Sequence, residues 1–310
     1  MATGEGKALD RIRLGTAPDS WGVWFPEDER QTPWHRFLDE VVEAGYEWIE
    51  LGPYGYLPTD AAPLRDELGT RGLSLSGGTV FAGLHRGGEA LEQAIEDCRT
   101  EARLLTALGA RYLVLLPEGY TDLDGNITQP VDLEPSQWND LVNGMSQLGK
   151  VLADEFDVSL VFHPHADSHV DRQEPVERFL QDTDPTTVSL CLDTGHISYC
   201  GGDNLELIRK YPERIGYVHL KQVDPAIVRR VEEEKLCFAE AVRLGAMIEP
   251  PDGEPAMEPV LHALSGLDAD LFAIVEQDLY PCEPDVPLPI ATRTGRYFGQ
   301  CGLGPIRRTT

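Results

Sequence analysis

With 310 residues, 41% of them hydrophobic and 25% charged, the chain has the composition of a folded globular protein with room for a large core. Its 53 acidic against 26 basic residues give a formal net charge of −27. That charge opposes a nucleic-acid groove or an anionic membrane surface, both of which need a positive field, and leaves a small neutral or metal-bound substrate.

No apolar run approaches the roughly 20 residues of a membrane span, and the start Met1-Ala-Thr-Gly-Glu-Gly-Lys7 lacks the apolar core of a signal peptide. The cysteines Cys98, Cys191, Cys200, Cys237, Cys282 and Cys301 are scattered with no CxxC pair, which suits reduced thiols. The expectation is a cytoplasmic protein.

In chain order, residues 1–12 read as a flexible lead and 13–18 as a first strand, followed by the loop Asp19-Ser-Trp-Gly-Val-Trp24. Residues 33–44 have helical spacing, with Thr32 as N-cap, Pro33 at the first helical position and Gly45 as the stop. A strand at 48–52, a helix at 61–71 closed by Gly72, a strand at 73–80, a helix at 89–108 and a strand at 112–116 continue the rhythm. Helices at 135–155, 175–181 and 204–210 alternate with strands at 159–162, 188–192 and 215–220. Residues 225–244 read as one helix more than the alternation needs, an insertion after the seventh strand. A helix at 255–264, a last strand at 271–275 and a closing helix at 290–298 complete the chain, with 304–310 as a flexible tail.

Eight strand and helix units without a low-complexity linker predict an α/β chain, a single-domain (β/α)8 TIM barrel over residues 13–303. An open nucleotide-binding sheet would show a Gly-rich turn after its first strand, and Gly15-Thr-Ala-Pro-Asp-Ser-Trp-Gly22 is not GxGxxG.

In such a barrel the residues after each strand converge on one mouth. Those ends read Pro117-Glu118, His163-Pro164-His165, Asp193-Thr-Gly-His196, His219-Leu-Lys221 and Glu276-Gln-Asp278. Taken singly, each is as well explained by a loop residue or a satisfied core histidine. Together, carboxylates and imidazoles from successive strands make a mixed N/O set suited to Mn, Co, Fe or Zn, with no thiolate for a soft metal. The set chosen is His163, Asp193, His219 and Glu276.

The segments Gly15-Thr-Ala-Pro-Asp-Ser-Trp-Gly-Val-Trp24, Phe162-His-Pro-His-Ala-Asp-Ser-His-Val170, Leu192-Asp-Thr-Gly-His196, Val218-His-Leu-Lys-Gln-Val223 and Val275-Glu-Gln-Asp278 resemble the inosose dehydratase family of inositol catabolism. That family belongs to the xylose-isomerase-like sugar isomerase and epimerase barrels, and the resemblance runs from Leu14 to Asp278. It implies a divalent metal, Mn²⁺ or Co²⁺ first and Zn²⁺ or Fe²⁺ next, held by residues of strands five to eight. The wider superfamily carries Glu at strand five where this chain has histidine. Whether His163 or His165 is the ligand stays open here, because alternate strand residues face opposite sides and Pro164 obscures the count.

The implied reaction is loss of water from a keto-inositol such as 2-keto-myo-inositol (scyllo-inosose), through a metal-stabilised enolate, to a trihydroxycyclohexane dione. His165 is assigned as general base or acid, Lys221 as a cation beside the carbonyl or enolate oxygen, and Glu276 as a ligand that also shuttles a proton. A structural ion pair is the competing role for Lys221. Asp19, Trp21, Trp24, Glu50, Glu118 and His196 are expected to bind the substrate, aromatic faces covering C–H groups and carboxylates taking hydroxyls. For the two tryptophans barrel-core packing is the alternative, and His169 is read as loop. A keto-inositol or ketose isomerase or epimerase using the same metal, and a non-catalytic sugar-binding barrel, are the competing readings. The expected partner is a small cyclitol or sugar, with no nucleic acid and no membrane, and a homo-oligomer is left open.

Overall fold

The computed structural model describes residues 9–304. The strands β1 (Ile12–Thr16), β2 (Trp48–Pro53), β3 (Ser74–Ala82), β4 (Tyr112–Pro117), β5 (Ser159–Phe162), β6 (Val188–Asp193), β7 (Ile215–Leu220) and β10 (Leu271–Val275) close into a barrel in the order β1-β10-β7-β6-β5-β4-β3-β2. All neighbours run parallel, from Ile12 beside Leu271 to Leu190 beside Ile215. Around them lie α1 (Trp34–Ala44), α2 (Ala61–Arg71), α3 (Gly88–Ala107), α4 (Pro135–Phe156), α5 (Gln173–Asp182), α6 (Thr194–Tyr199), α7 (Asn204–Lys210), α8 (Pro225–Glu234), α9 (Phe238–Arg243), α10 (Met257–Ser265) and α11 (Pro287–Gln300). The expected (β/α)8 architecture is therefore present. The segments 1–8 and 305–310 of the expected flexible ends lie outside the described residues.

Two apolar cores support it. Inside the barrel Val114, Val161, Cys191, Tyr217, Phe272 and Ile274 pack into a plug, so the interior is filled rather than open. Between strands and helices a larger layer runs around the ring, in which Phe162 of β5 stacks on Phe179 of α5 with centroids 4.1 Å apart. Helix ends follow local chemistry: Gly45 and Gly72 adopt the left-handed conformation and donate their amides back to the last-turn carbonyls Val42 O (3.0 Å) and Gly69 O (3.1 Å), which closes α1 and α2.

Three expectations need correction. Pro33, not Thr32, occupies the N-cap position of α1, and no side chain caps that helix. The insertion is not one helix over 225–244. Lys235 turns left-handed (φ 55°) and ends α8, and Cys237 opens the separate α9 through a capping box with Glu240. The insertion is also framed by a small antiparallel ribbon, β8 (Gln222–Val223) against β9 (Met247–Ile248). Finally, α6 appears directly after β6, a one-and-a-half-turn helix too short to leave an apolar period in the sequence.

Phe179 is fully buried against Phe162. Phe179→Ala is expected to lower the unfolding free energy by about 3–5 kcal/mol in urea titrations followed by circular dichroism; a loss under about 1 kcal/mol would contradict this packing.

Candidate active site and metal centre

The carboxyl ends of the strands open into a cavity of about 500 Å³ whose wall includes Asp19, Glu50, His163, His165, Lys221 and Glu276. His163, His219 and Glu276 line its floor with Asp193 just behind them, and one ligand atom of each lies within 4.8 Å of the others, all four residues buried. They are brought there by β5, β6, β7 and β10. No helix among the described residues is long and apolar enough to cross a membrane.

Local structure aims each group. The His163 amide donates to Leu115 O (2.9 Å), seating the residue at the end of β5, and its Nε2 lies 3.2 Å from Asp193 Oδ2. His165, past Pro164, is turned away from that cluster. Its Nδ1–H donates to Ala166 O (2.8 Å), leaving the Nε2 lone pair free. Geometry thus places His163 in the cluster and His165 beside it. Asp193 splits its carboxylate: Oδ1 accepts the His196 amide (2.7 Å) as the N-cap of α6, and Oδ2 faces His163 and His219. Asp193 is wholly buried and lies behind the cavity wall.

Lys221 is the cation of the floor. Its Nζ stands 2.9 Å from Asp278 Oδ2, 3.0 Å from Glu276 Oε2, 3.3 Å from Asp193 Oδ2 and 3.6 Å from Asp19 Oδ2. The stem is wedged against Gly195, where any side chain would collide with it, and Thr194 Oγ1 holds both the amide and the carbonyl of Lys221. Burial opposes the ammonium charge, but Asp193, Asp278, Glu276 and Asp19 outweigh it and hold the lysine well above its ordinary range. The expected structural ion pair is present in geometry, on a group that also lines the cavity.

The same balance acts on the neighbours. Burial alone would raise Glu276, yet His219 and Lys221 bring it down to about 2. Asp19 goes the other way: burial, then the charge of Glu276, push it well above the carboxylate range, and neither of its buried oxygens has a hydrogen-bond partner. Burial and the charge of His163 lower His165 to about 4, so at neutral pH it is a neutral imidazole, a proton acceptor rather than the group titrating near neutrality that was expected.

The remaining expected residues divide. Trp24 lines the cavity, donates from Nε1 to Asp278 Oδ1 (3.2 Å) and stacks on Tyr280. His196 lines it too, with the Ala166 amide donating to its Nδ1. Glu118 stands at the rim, half-exposed, 3.3 Å from the Arg86 guanidinium. Glu50 reaches the wall, but both oxygens are engaged by His219 and Thr79. Trp21 does not reach the cavity. It is fully buried against Phe37 of α1, with Nε1 donating to Glu40 (2.8 Å), so it belongs to the helix layer. His169 lies buried edge-on to His85, donating to Val131 O.

Among the lining residues that the sequence did not single out, two stand beside the predicted groups. Asp278 stood in view two positions after Glu276, in the same polar run that follows β10. Phe238 comes from the insertion, and nothing in its sequence context signals a route to the mouth.

The sequence matches the family described as Xylose isomerase-like TIM barrel over residues 38–285. It is 30% identical to inosose dehydratase of Geobacillus thermodenitrificans over 95% of this chain and 99% of that protein, and 28% identical to that of Clostridium botulinum strain Alaska E43 over 93% and 97%. The chain belongs to the xylose isomerase-like TIM barrel family, in its inosose dehydratase branch. Solved barrels of the same fold include the IOLI protein with a binding zinc atom (TM-score 0.70, 15% identity, 96% of this chain and 100% of that chain). A probable 3-DHS dehydratase, AsbF, from Bacillus anthracis gives a TM-score of 0.68 at 16% identity, covering 93% of this chain and 98% of that chain.

The donor set fits a divalent cation. His219 Nδ1 is buried without a hydrogen bond 2.9 Å from Glu276 Oε2, so a divalent ion could take the place of the imidazole proton that otherwise pairs with that carboxylate. Asp193→Asn keeps the oxygen that caps α6 and removes the anion. Metal retained after gel filtration, measured by mass spectrometry, is expected to fall at least about tenfold with the circular dichroism spectrum unchanged; wild-type metal content would remove Asp193 from the ligand set.

Proposed function

We propose that the chain is a metal-dependent hydro-lyase that removes water from a keto-inositol such as 2-keto-myo-inositol (scyllo-inosose), giving a trihydroxycyclohexane dione. The observation that carries the reading is the buried His163, Asp193, His219 and Glu276 cluster on the floor of a cavity that also holds Lys221 and His165. Its alignment with inosose dehydratases over nearly the full chain supports the substrate, and the zinc atom of the IOLI protein supports a divalent ion in such a barrel. The N/O set admits Mn, Co, Fe or Zn, and the family resemblance puts Mn²⁺ and Co²⁺ first among the ions to test.

A divalent ion bound there supplies Lewis-acid polarisation for a carbonyl oxygen, which acidifies the adjacent C–H. The chain does the rest. Lys221 Nζ donates to the same oxygen as negative charge develops on it, fixed in place by carboxylates that keep it protonated. His165 Nε2, neutral and unshared, accepts the carbon-bound proton. Asp19, whose carboxyl burial pushes toward its protonated form, protonates the departing hydroxyl, so that hydroxyl and proton leave as water. Trp24 and Phe238 present apolar faces to the C–H side of the ring, and Glu118 accepts from its hydroxyls.

Incubating Mn²⁺- or Co²⁺-loaded protein with scyllo-inosose is expected to produce the ultraviolet absorbance of an enolised dione. A keto-inositol isomerase returns the proton and yields no such chromophore, and a new ketone isomer without it would overturn the dehydratase reading. His165→Ala is expected to lower kcat by about 10²–10⁴-fold with KM little changed in the same assay; turnover near the wild-type rate would take the proton-accepting role from His165.

A further inference from the structure

A histidine offers two ring nitrogens to a metal, and the hydrogen bond made by one decides which of them the metal can use. His219, at the end of β7, shows this division. Its Nε2 lies 3.0 Å from Glu50 Oε2, and its Nδ1 is turned toward Glu276 Oε2 (2.9 Å) and Asp193 Oδ2 (3.6 Å). Glu50 belongs to β2, so the contact spans the mouth from one wall to another rather than joining neighbouring strands.

Glu50 is itself held. Thr79 Oγ1 on β3 donates to Glu50 Oε1 (2.7 Å), and the pairing of β2 with β3 shifts register on both sides of Glu50. Such irregularities re-aim a side chain, here into the barrel mouth. At the same level the Thr79 amide donates to Glu101 Oε1 of α3 (2.6 Å). Glu101 is almost fully buried, and Gly78 leaves it room, since a Cβ there would collide with the carboxyl group. The hydrogen bonds thus run from the helix layer through Glu101, Thr79 and Glu50 to His219.

Burying carboxyl groups costs free energy that one or two hydrogen bonds only partly offset, so packing gives no reason to keep Glu50 and Glu101 inside. Fixing a ligand does. We infer that Glu50 and Thr79 are positioning residues of the metal centre: Glu50 takes the Nε2–H of His219 so that Nδ1 faces the cluster, and Thr79 fixes Glu50. The inference rests on the reading of the cluster as a metal site. It also replaces the expected substrate-binding role of Glu50, both of whose oxygens are already engaged.

The test is chelator competition for Co²⁺, with the visible Co²⁺ spectrum and the metal-free melting temperature read on the same samples. Glu50→Gln is expected to weaken Co²⁺ binding by about 10–100-fold and to shift the visible bands. Thr79→Val should move both readouts the same way but less, Thr79→Ser should restore them, and the double variant should match Glu50→Gln alone, because Thr79 acts through Glu50. A merely structural role would lower the metal-free melting temperature and leave affinity and spectrum at wild-type values. Folded Glu50→Gln protein with wild-type affinity and spectrum overturns the inference. Should that variant not fold, wild-type affinity in Thr79→Val overturns it instead. Wild-type protein that binds no Co²⁺ removes the metal reading and this inference together, a failure visible before any substitution is made.

Discussion

The constraint on which the site depends is an excess of buried negative charge at one end of the barrel. Asp19, Glu50, Asp193, Glu276 and Asp278 converge on a floor where Lys221 is the ammonium within reach of four of them. A buried carboxylate is tolerated only when paired or coordinated. Lys221 answers part of that demand, burial and the charge of Glu276 push Asp19 toward its protonated form, and the cluster of His163, Asp193, His219 and Glu276 could answer more of it by holding a divalent ion. In the proposed reaction the cations that offset this negative charge are also the groups that stabilise the enolate, so folding and chemistry draw on the same groups.

Much of this was legible in residue order. Alternating apolar runs and Gly stops marked eight strand and helix units, and β5, β7 and β10 lie where their apolar runs begin and end. The four residues His163, Asp193, His219 and Glu276 that the barrel brings together could be picked out because a parallel strand that reaches the mouth ends abruptly in polar groups. What the pattern could not hold was direction. The loop after β1 carries two tryptophans, and a 3-10 turn over Pro18–Trp21 closed by left-handed Gly22 sends Trp21 back into the helix layer and Trp24 on to the mouth. Pro164 likewise separates His163 from His165 by reorienting the chain, which spacing alone left undecided.

The insertion after β7 shows a second kind of limit. Continuous helical spacing over residues 225–244 hid the left-handed Lys235, a position the apolar period does not register. The break matters to the site, because α9 starts at Phe238 and its amide donates to Asp167 Oδ2, the oxygen that also takes the Thr121 hydroxyl. The β4–α4 loop, the β5–α5 loop and the insertion are thereby tied together over the cavity. Glu50 is the other lesson. Its residue type announced function, but its role is set by Thr79 and His219, partners far away in sequence and adjacent only once the barrel closes.

The measurement that tests the account most directly is X-ray absorption fine structure of the Co²⁺-loaded protein. The account predicts a shell of nitrogen and oxygen with the outer-sphere scattering of two imidazoles, from His163 and His219, and no sulfur. A shell without imidazole scattering, or one containing sulfur, would contradict the placement of the ion at the floor of this barrel.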